Sequence, residues 1–411
     1  MIITNLKDKP ARRKRGDEPP KIGLACAGGG IEGAVYEIGA LCALDEVLTG
    51  VDFRDLHVYV GVSAGALISA CLANGLTPRQ MSLAILSQQS EVHPIVPETF
   101  FTPAFGEYVS RVTGIPGLLW DAVTDYVKKP GDLTITASLF RMMQVLPVGV
   151  FDNDPLRAYL EKNFSEAGRT DSFYELKNKL RIVATDLDSS HSVVFGSDGF
   201  DSVPISKAVQ ASTALPVVYL PVEINGRNYI DGVAQRTVHA SVALQEGADF
   251  VFCINPIVPY EAVNEIAADD PLKNLMVKKG LPAVLSQTFR TMIHSRMKVG
   301  IKQYQHLYPG KDLIIFEPDS HDYRMFFTNI FSFSSRYEIC EHAYQTTRAS
   351  LRKRMDEIAP AFERAGIGVR ESVLNDTSRS LYSPMWKNGH DTGKLLSNTL
   401  QELDSLLAKI A

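Results

Sequence analysis

No run of about 18 apolar residues occurs in the chain, so no segment is expected to cross a membrane as a helix. Neither sign of charge dominates. Lys and Arg number 42 against 47 Asp and Glu, a net charge of −5, which leaves out the strong basic footprint of a nucleic-acid binder. The five cysteines, Cys26, Cys42, Cys71, Cys253 and Cys340, form no CxxC pair and are odd in number. They therefore offer neither a complete disulfide framework nor the ligand spacing of a structural metal site. Four stand within apolar stretches, which fits buried, reduced thiols and a reducing compartment. Internal repeats are absent, and so are low-complexity tracts beyond the N-terminus.

What is present is the composition of an ordinary globular protein: 45% hydrophobic and 22% charged over 411 residues. Such a length can bury a large core without staples and suggests roughly two or three domains. Residues 1–20 are polar and proline-bearing, with Lys7, Lys9, Arg12, Arg13, Lys14 and Arg15 around Asp8, and read as a disordered basic tail. Arg12–Arg15 followed by Ile22–Ala27 has the outline of a signal peptide. Asp17-Glu18-Pro19-Pro20 interrupts it, however, and the apolar stretch is too short, so a buried strand explains it better. The expected location is cytoplasmic, with peripheral attachment at membranes.

Ordered structure is expected to begin with a strand at Ile22–Ala27, broken by Gly28-Gly29-Gly30. Ala34, Ile38, Leu41, Leu44 and Leu48 then recur at helical spacing up to Gly50. A second strand, His57–Val60, ends at Gly61, and Ala64 to Asn74 reads as another helix. Strand, glycine turn, helix, strand, sharp turn and helix open a parallel α/β sheet. Leu180–Ala184, Phe250–Ile254 and Asp312–Phe316 add strands, and Val222–Ile230 reads as a hairpin whose Asn225-Gly226 pair suits a type I′ turn. Residues 88–150, rich in aromatics and broken by Pro and Gly, read as a helical cap packed on the core, whose apolar face can also line an acyl pocket. The remainder of the chain is expected to be mostly helical. Leu396, Leu400, Leu403, Leu407 and Ile410 form an a/d stripe too short for a free coiled coil, expected to dock on the body or on a second copy in a homodimer.

Three short patterns bear on chemistry. Gly61-Val62-Ser63-Ala64-Gly65 matches G-x-S-x-G between a strand and a helix, where flanking glycines allow a tight turn that lifts a serine Oγ above the sheet edge. Gly28-Gly29-Gly30-Ile31-Glu32-Gly33 fits G-x-G-x-x-G. A dinucleotide loop would want an acid about 20 residues on, and Asp52 and Asp55 lie there. The serine turn that follows makes a loop of N–H groups facing an oxyanion the more economical account. A nucleophilic serine needs a base. His239, His294, His306, His321 and His342 follow Ser63, but none ends a strand in a distinctive loop. Asp231-Gly232, closing the hairpin arm, is better placed, although Asp-Gly is also ordinary turn chemistry.

Taken together these elements resemble the patatin-like phospholipase family, with its G-G-G-x-[KR]-G loop, G-x-S-x-G elbow and D-G-[GA] motif in that order. Here they read Gly28–Gly33, Gly61–Gly65 and Asp231-Gly232-Val233, and Ala211–Pro216 is similar to the family's small-residue helix before the hairpin. The likeness covers about residues 21–260. It implies a three-layer α/β/α fold with a mainly parallel sheet, spanning residues 21–345 with the cap at 88–150 and followed by a helical extension at 346–411. It further implies a Ser63–Asp231 dyad without a catalytic histidine, an oxyanion hole at Gly28, Gly29, Gly30 and Gly33, and supporting turns at Gly61, Gly65 and Gly232. No metal or cofactor is required. Two positions depart from the pattern. Glu32 replaces a Lys or Arg, which removes a cation beside the loop and opens the reading to neutral esters, and Val233 replaces Gly or Ala.

The function implied is lipid acyl hydrolysis of the phospholipase A or lysophospholipase type, with a lipid or membrane surface as the source of substrate. Three alternatives stand beside it. One is an esterase on neutral lipids, thioesters or hydroxyacid polyesters; another is a Ser–Asp–His hydrolase. The third is a non-catalytic lipid-binding scaffold.

Overall fold

The computed structural model describes residues 2–4, 18–86, 95–111, 113, 146–236, 238–261, 275–322 and 335–382. Nine strands form the main sheet: β1 Ile2–Thr4, β2 Ile22–Cys26, β3 Val58–Val62, β4 Lys179–Asp186, β5 Ser192–Phe195, β6 Val222–Ile224, β7 Arg227–Asp231, β8 Phe250–Ile254 and β9 Asp312–Phe316. Their order is β1-β9-β8-β2-β3-β4-β7-β6, with β5 also pairing β4. The middle of this order, β9-β8-β2-β3-β4, is parallel, and its flanking pairs are antiparallel.

Strands at the centre of a parallel sheet are buried on both faces, so they read as unbroken apolar runs. The pleat sorts their side chains. Phe250, Phe252 and Ile254 join one core cluster, while Val251 and Cys253 join another on the opposite face. Helices cover both sides. On the first lie α1 Gly30–Val47, α2 Ala64–Ala73, α3 Pro78–Leu86, α4 Asp154–Phe164 and α5 Ile205–Ser212. On the second lie α6 Ala240–Gln245 and the inner side of α7 Leu281–Leu307. The first side also receives α8 Arg336–Lys353 and α9 Met355–Ala365. A three-layer α/β/α arrangement follows. All five cysteines are unpaired, and four are buried.

The hairpin closes as its sequence predicts. Ile224 pairs with Arg227, and Asn225 and Gly226 both take positive φ, 53° and 74°. Elsewhere the structure departs from expectation. The N-terminus is not wholly an irregular tail: Ile2–Thr4 add as an antiparallel strand to β9, whose ladder on that side would otherwise be unpaired; residues 5–17 lie outside the described residues. The described parts of the 88–150 excursion are not all helical. Besides a helical stretch at 105–111, Gly149–Asp152 lies between Thr102–Pro103 and Val217–Tyr219 and pairs with both in a small three-stranded sheet. It closes over Phe101, Phe151 and Tyr219, whose rings meet at 5.6 and 6.4 Å; residues 114–145 lie outside the described residues. The expected boundary between 345 and 346 falls inside α8, a continuous helix packed on α1, so the chain does not divide there. The stripe at 396–410 lies outside the described residues.

Candidate active site

β3 ends at Val62, α2 begins at Ala64, and Ser63 turns the chain between them with φ 53° and ψ −123°. A non-glycine residue held at positive φ is strained and persists only where its surroundings fix it. Here the glycines permit the turn. A Cβ at Gly61 would lie 2.4 Å from the Gly65 carbonyl oxygen, and one at Gly65 would lie 2.4 Å from Cys26. With both absent, α2 packs directly on β2, and the Gly65 N–H donates to the Ala27 carbonyl at 3.0 Å. One further hydroxyl locks the elbow. The Ser63 N–H donates to Ser212 Oγ at 2.9 Å, and Ser212 Oγ donates to the Val183 carbonyl on β4 at 2.6 Å.

The glycine loop leaves the end of β2 beside this serine. A Cβ on Gly28 would come within 3.1 Å of Ser63 Cβ and 3.2 Å of Val233 Cγ2, so the three motifs meet at one point. Gly29 and Gly33 pack on Pro256, with room for no side chain at Gly29, where a Cβ would lie 2.7 Å from the ring. Gly30 takes φ 62°, a conformation natural to glycine. The N–H groups of Gly28, Gly29 and Gly30 meet no acceptor among the described residues. They lie at the N-terminus of α1, the positive end of its dipole.

Sheet register brings the aspartate to the same place. Val62 pairs with Val183 and Asp231 pairs with Ala184, while β5 takes the other edge of β4 across residues 182–185, so β3 and β7 meet end to end along one edge of β4 and bring Ser63 and Asp231 together. Asp231 is 1% exposed. Its Oδ1 accepts the Val233 N–H at 2.9 Å, and its own N–H donates to the Ala214 carbonyl at 2.9 Å. Burial pushes its carboxyl up to about 7, against the opposing influence of the Ser63 hydroxyl and the Val233 N–H, which favour the ionised form. Gly232 is also required by space, because a Cβ would sit 2.4 Å from the Val183 carbonyl oxygen. Asp231-Gly232 is therefore packed into the sheet edge and is not a free surface turn.

Other residues singled out in the sequence separate from this point. Asp52 pairs with Arg54 at 2.8 Å and Asp55 with Lys177 at 2.7 Å, both exposed, and neither serves the glycine loop. His239 is buried at the start of α6, and burial pushes its imidazole down to about 4, so it is neutral at physiological pH. It makes no hydrogen bond to Ser63 among the described residues. No three metal-binding side chains converge among the described residues. A cleft of 410 Å³ opens between α7 and residues 235–240, but neither Ser63 nor Asp231 lines it.

Glu32 behaves otherwise than its position in the motif suggests. It is 3% exposed, and burial pushes its carboxyl up to about 8, offset by the positive charge of Arg290 on α7. The cation missing from the loop is thus answered from another element. Arg290, Ser212 and Ala214 are contributors that local sequence did not mark as such. Ser212 and Ala214 fall in the small-residue segment Ala211–Pro216, which carried a signal, whereas Arg290 carried none.

A profile of the family described as patatin-like phospholipase matches residues 24–244. Among solved structures, the chain is similar to VipD from Legionella pneumophila, with 17% identity, a TM-score of 0.37 and coverage of 82% of this chain and 67% of that one. It is similar to the type III effector protein ExoU at 16% identity, with a TM-score of 0.34 and coverage of 82% and 53%. It is also similar to human GIVD cytosolic phospholipase A2, solved with methyl gamma-linolenyl fluorophosphonate, at 12% identity, a TM-score of 0.28 and coverage of 86% and 61%. The chain thus matches between 53% and 67% of the length of these proteins.

Proposed function

The chain belongs to the patatin-like phospholipase family, and from that premise we propose that it cleaves fatty acyl esters of phospholipids or lysophospholipids through a Ser63–Asp231 dyad. Family membership supports lipid ester hydrolysis as the broad activity. The observation that carries the finer reading is the packing of Gly28 between Ser63 and Val233, the residue whose N–H binds Asp231.

In this reading Asp231 takes the Ser63 hydroxyl proton as Oγ attacks the ester carbonyl carbon. The negative charge that develops on the carbonyl oxygen is received by the N–H groups of the Gly28–Gly30 loop at the α1 N-terminus, with Gly33 fixing the loop's first helical turn. Collapse of the tetrahedral intermediate breaks the ester C–O bond, and the proton on Asp231 passes to the departing alcohol. Water then attacks the acyl-serine carbonyl, Asp231 accepts its proton, and the fatty acid leaves as Ser63 regains a proton. A carboxylate at its ordinary pKa is a poor base, and the burial of Asp231 is what suits it to the task.

The test is fatty-acid release from a panel of anionic, zwitterionic and neutral esters by the parent, Ser63→Ala and Asp231→Asn. General-base loss is expected to lower the rate by about a hundred- to ten-thousand-fold in Asp231→Asn, and Ser63→Ala to fall to background. Full activity in either variant refutes the dyad. Preference for neutral esters across the panel refutes the phospholipid assignment and favours the neutral-ester reading that Glu32 raised.

A further inference from the structure

Between residues 275 and 311 the sequence holds seven cations, among them Lys278, Arg296, Lys298 and Lys302, and not one Asp or Glu. The helix α7 built from this stretch has two apolar sides. His294, Met297, Ile301 and Tyr304 are buried against the sheet. Across the helix, Leu281, Phe289, Met292 and Val299 are 70%, 59%, 52% and 56% exposed, and Leu285 is exposed beside them. At 3.6 residues per turn these five fall within an arc of about 80°, opposite the buried side. A helix that is apolar on both sides is ordinarily covered on both. Lys278, just before α7, and Arg296, Lys298 and Lys302 on it are all exposed; at the same helical spacing Arg296 falls within the bare arc, and Lys302 and Lys298 lie on the side of the helix that leads from it to the buried side.

We propose that α7 is an interfacial helix that seats the protein on an anionic lipid surface, with Leu281, Leu285, Phe289 and Met292 entering the acyl boundary and the surrounding cations meeting lipid headgroups. The charge decides the occupant. A second copy of a chain with net charge −5 would have to present a matching acidic face, whereas a basic helix with exposed Phe and Leu has the composition of a membrane-surface element. The placement fits the chemistry. Arg290, on the inward side of α7, acts on Glu32 in the glycine loop, so the same helix borders both the serine site and the proposed bilayer contact. This inference rests on the lipid-hydrolase reading for its purpose but not for its test.

The test is vesicle sedimentation of the full chain carrying Ser63→Ala, so that the lipid stays intact. Binding to vesicles of phosphatidylcholine with phosphatidylglycerol is expected to exceed binding to phosphatidylcholine alone by about tenfold or more and to fall as salt rises. Combining Leu285→Ser, Phe289→Ser and Met292→Ser is expected to lower binding by about tenfold or more, as is combining Arg296→Glu, Lys298→Glu and Lys302→Glu. In the Ser63 parent, both sets are expected to keep hydrolysis of a water-soluble short-chain ester within about twofold, because these side chains are exposed and none belongs to the serine site. Unchanged vesicle binding in both sets overturns the proposal, as does failure of the parent to bind anionic vesicles. Loss of self-association in the variants without vesicle binding in the parent assigns the face to a second copy instead. Failure of the hydrolase reading is distinguishable: vesicle binding persists while no ester is cleaved.

Discussion

The most informative perturbation is the charge on Asp231. The carboxyl is fully enclosed, and burial raises it from an ordinary aspartate value of 3.8 to about 7. Two consequences follow with opposite signs. As the base, Asp231 must be ionised, so kcat/KM on a soluble ester should rise with pH and level off above about 7. Two pH units below that value only about 1% of the carboxyl is ionised, and the rate should be about a hundredfold under its plateau. Stability should move the other way. A folded-state carboxyl with a raised pKa holds its proton where the unfolded chain has lost it, so stability falls as pH rises between about 4 and 7. The full cost is on the order of 4 kcal/mol. Asp231→Asn should therefore be nearly inactive yet more stable than the parent at pH 8, by up to about 4 kcal/mol, with little difference at pH 4. A pH–rate profile and chemical denaturation at the two pH values measure both effects. A rate plateau extending unchanged to pH 5, or an Asp231→Asn protein less stable than the parent at pH 8, would refute the argument.

Other expectations follow from the packing. Ser212→Ala strands the Ser63 N–H and the Val183 carbonyl in the interior; denaturation should show a loss of about 1–3 kcal/mol, and kcat should fall while KM for a soluble ester changes little. Gly65→Ala forces a methyl to within 2.4 Å of the Cys26 backbone, and thermal melting should register a loss of about 3 kcal/mol or more, or no folded protein. Glu32→Gln should leave stability at pH 5 within about 0.5 kcal/mol and raise it by about 2–4 kcal/mol at pH 9, since the folded state keeps the Glu32 proton up to about 8. An unchanged difference across that range would mean that Glu32 ionises freely.

Much of the sheet was legible in the sequence because parallel central strands announce themselves as short apolar runs. Phe250–Ile254 and Asp312–Phe316 have the bounds expected of them, and the Asn225-Gly226 turn has the expected geometry. The sequence predicts that the strand before Ser63 ends at Val60, because Gly61 looks like a break; the structure carries the strand through it to Val62, where the glycine admits α2. β5, Ser192–Phe195, carries no strand signal in the sequence, being a short antiparallel partner amid polar residues. The order of the glycine loop, elbow and Asp231-Gly232 pointed to the site, since each element is local. Local sequence gives Ser212 and Arg290 no role of their own, because their partners lie 149 residues away for Ser212 and on a different element for Arg290. The bare side of α7 is not legible in the sequence for a related reason. Its apolar residues are unremarkable as a helix pattern until the fold reveals which of them the sheet has left exposed.

The central claim is that Ser63 is the nucleophile and Asp231 its base, and covalent labelling tests it most directly. The protein is treated with an alkyl fluorophosphonate at pH 8, the intact mass is recorded, and the modified peptide is sequenced by mass spectrometry. One adduct is expected, on Ser63, formed about a hundredfold or more slowly in Asp231→Asn and absent from Ser63→Ala. An adduct on another residue, or labelling of Ser63 at the parent rate in Asp231→Asn, would contradict it.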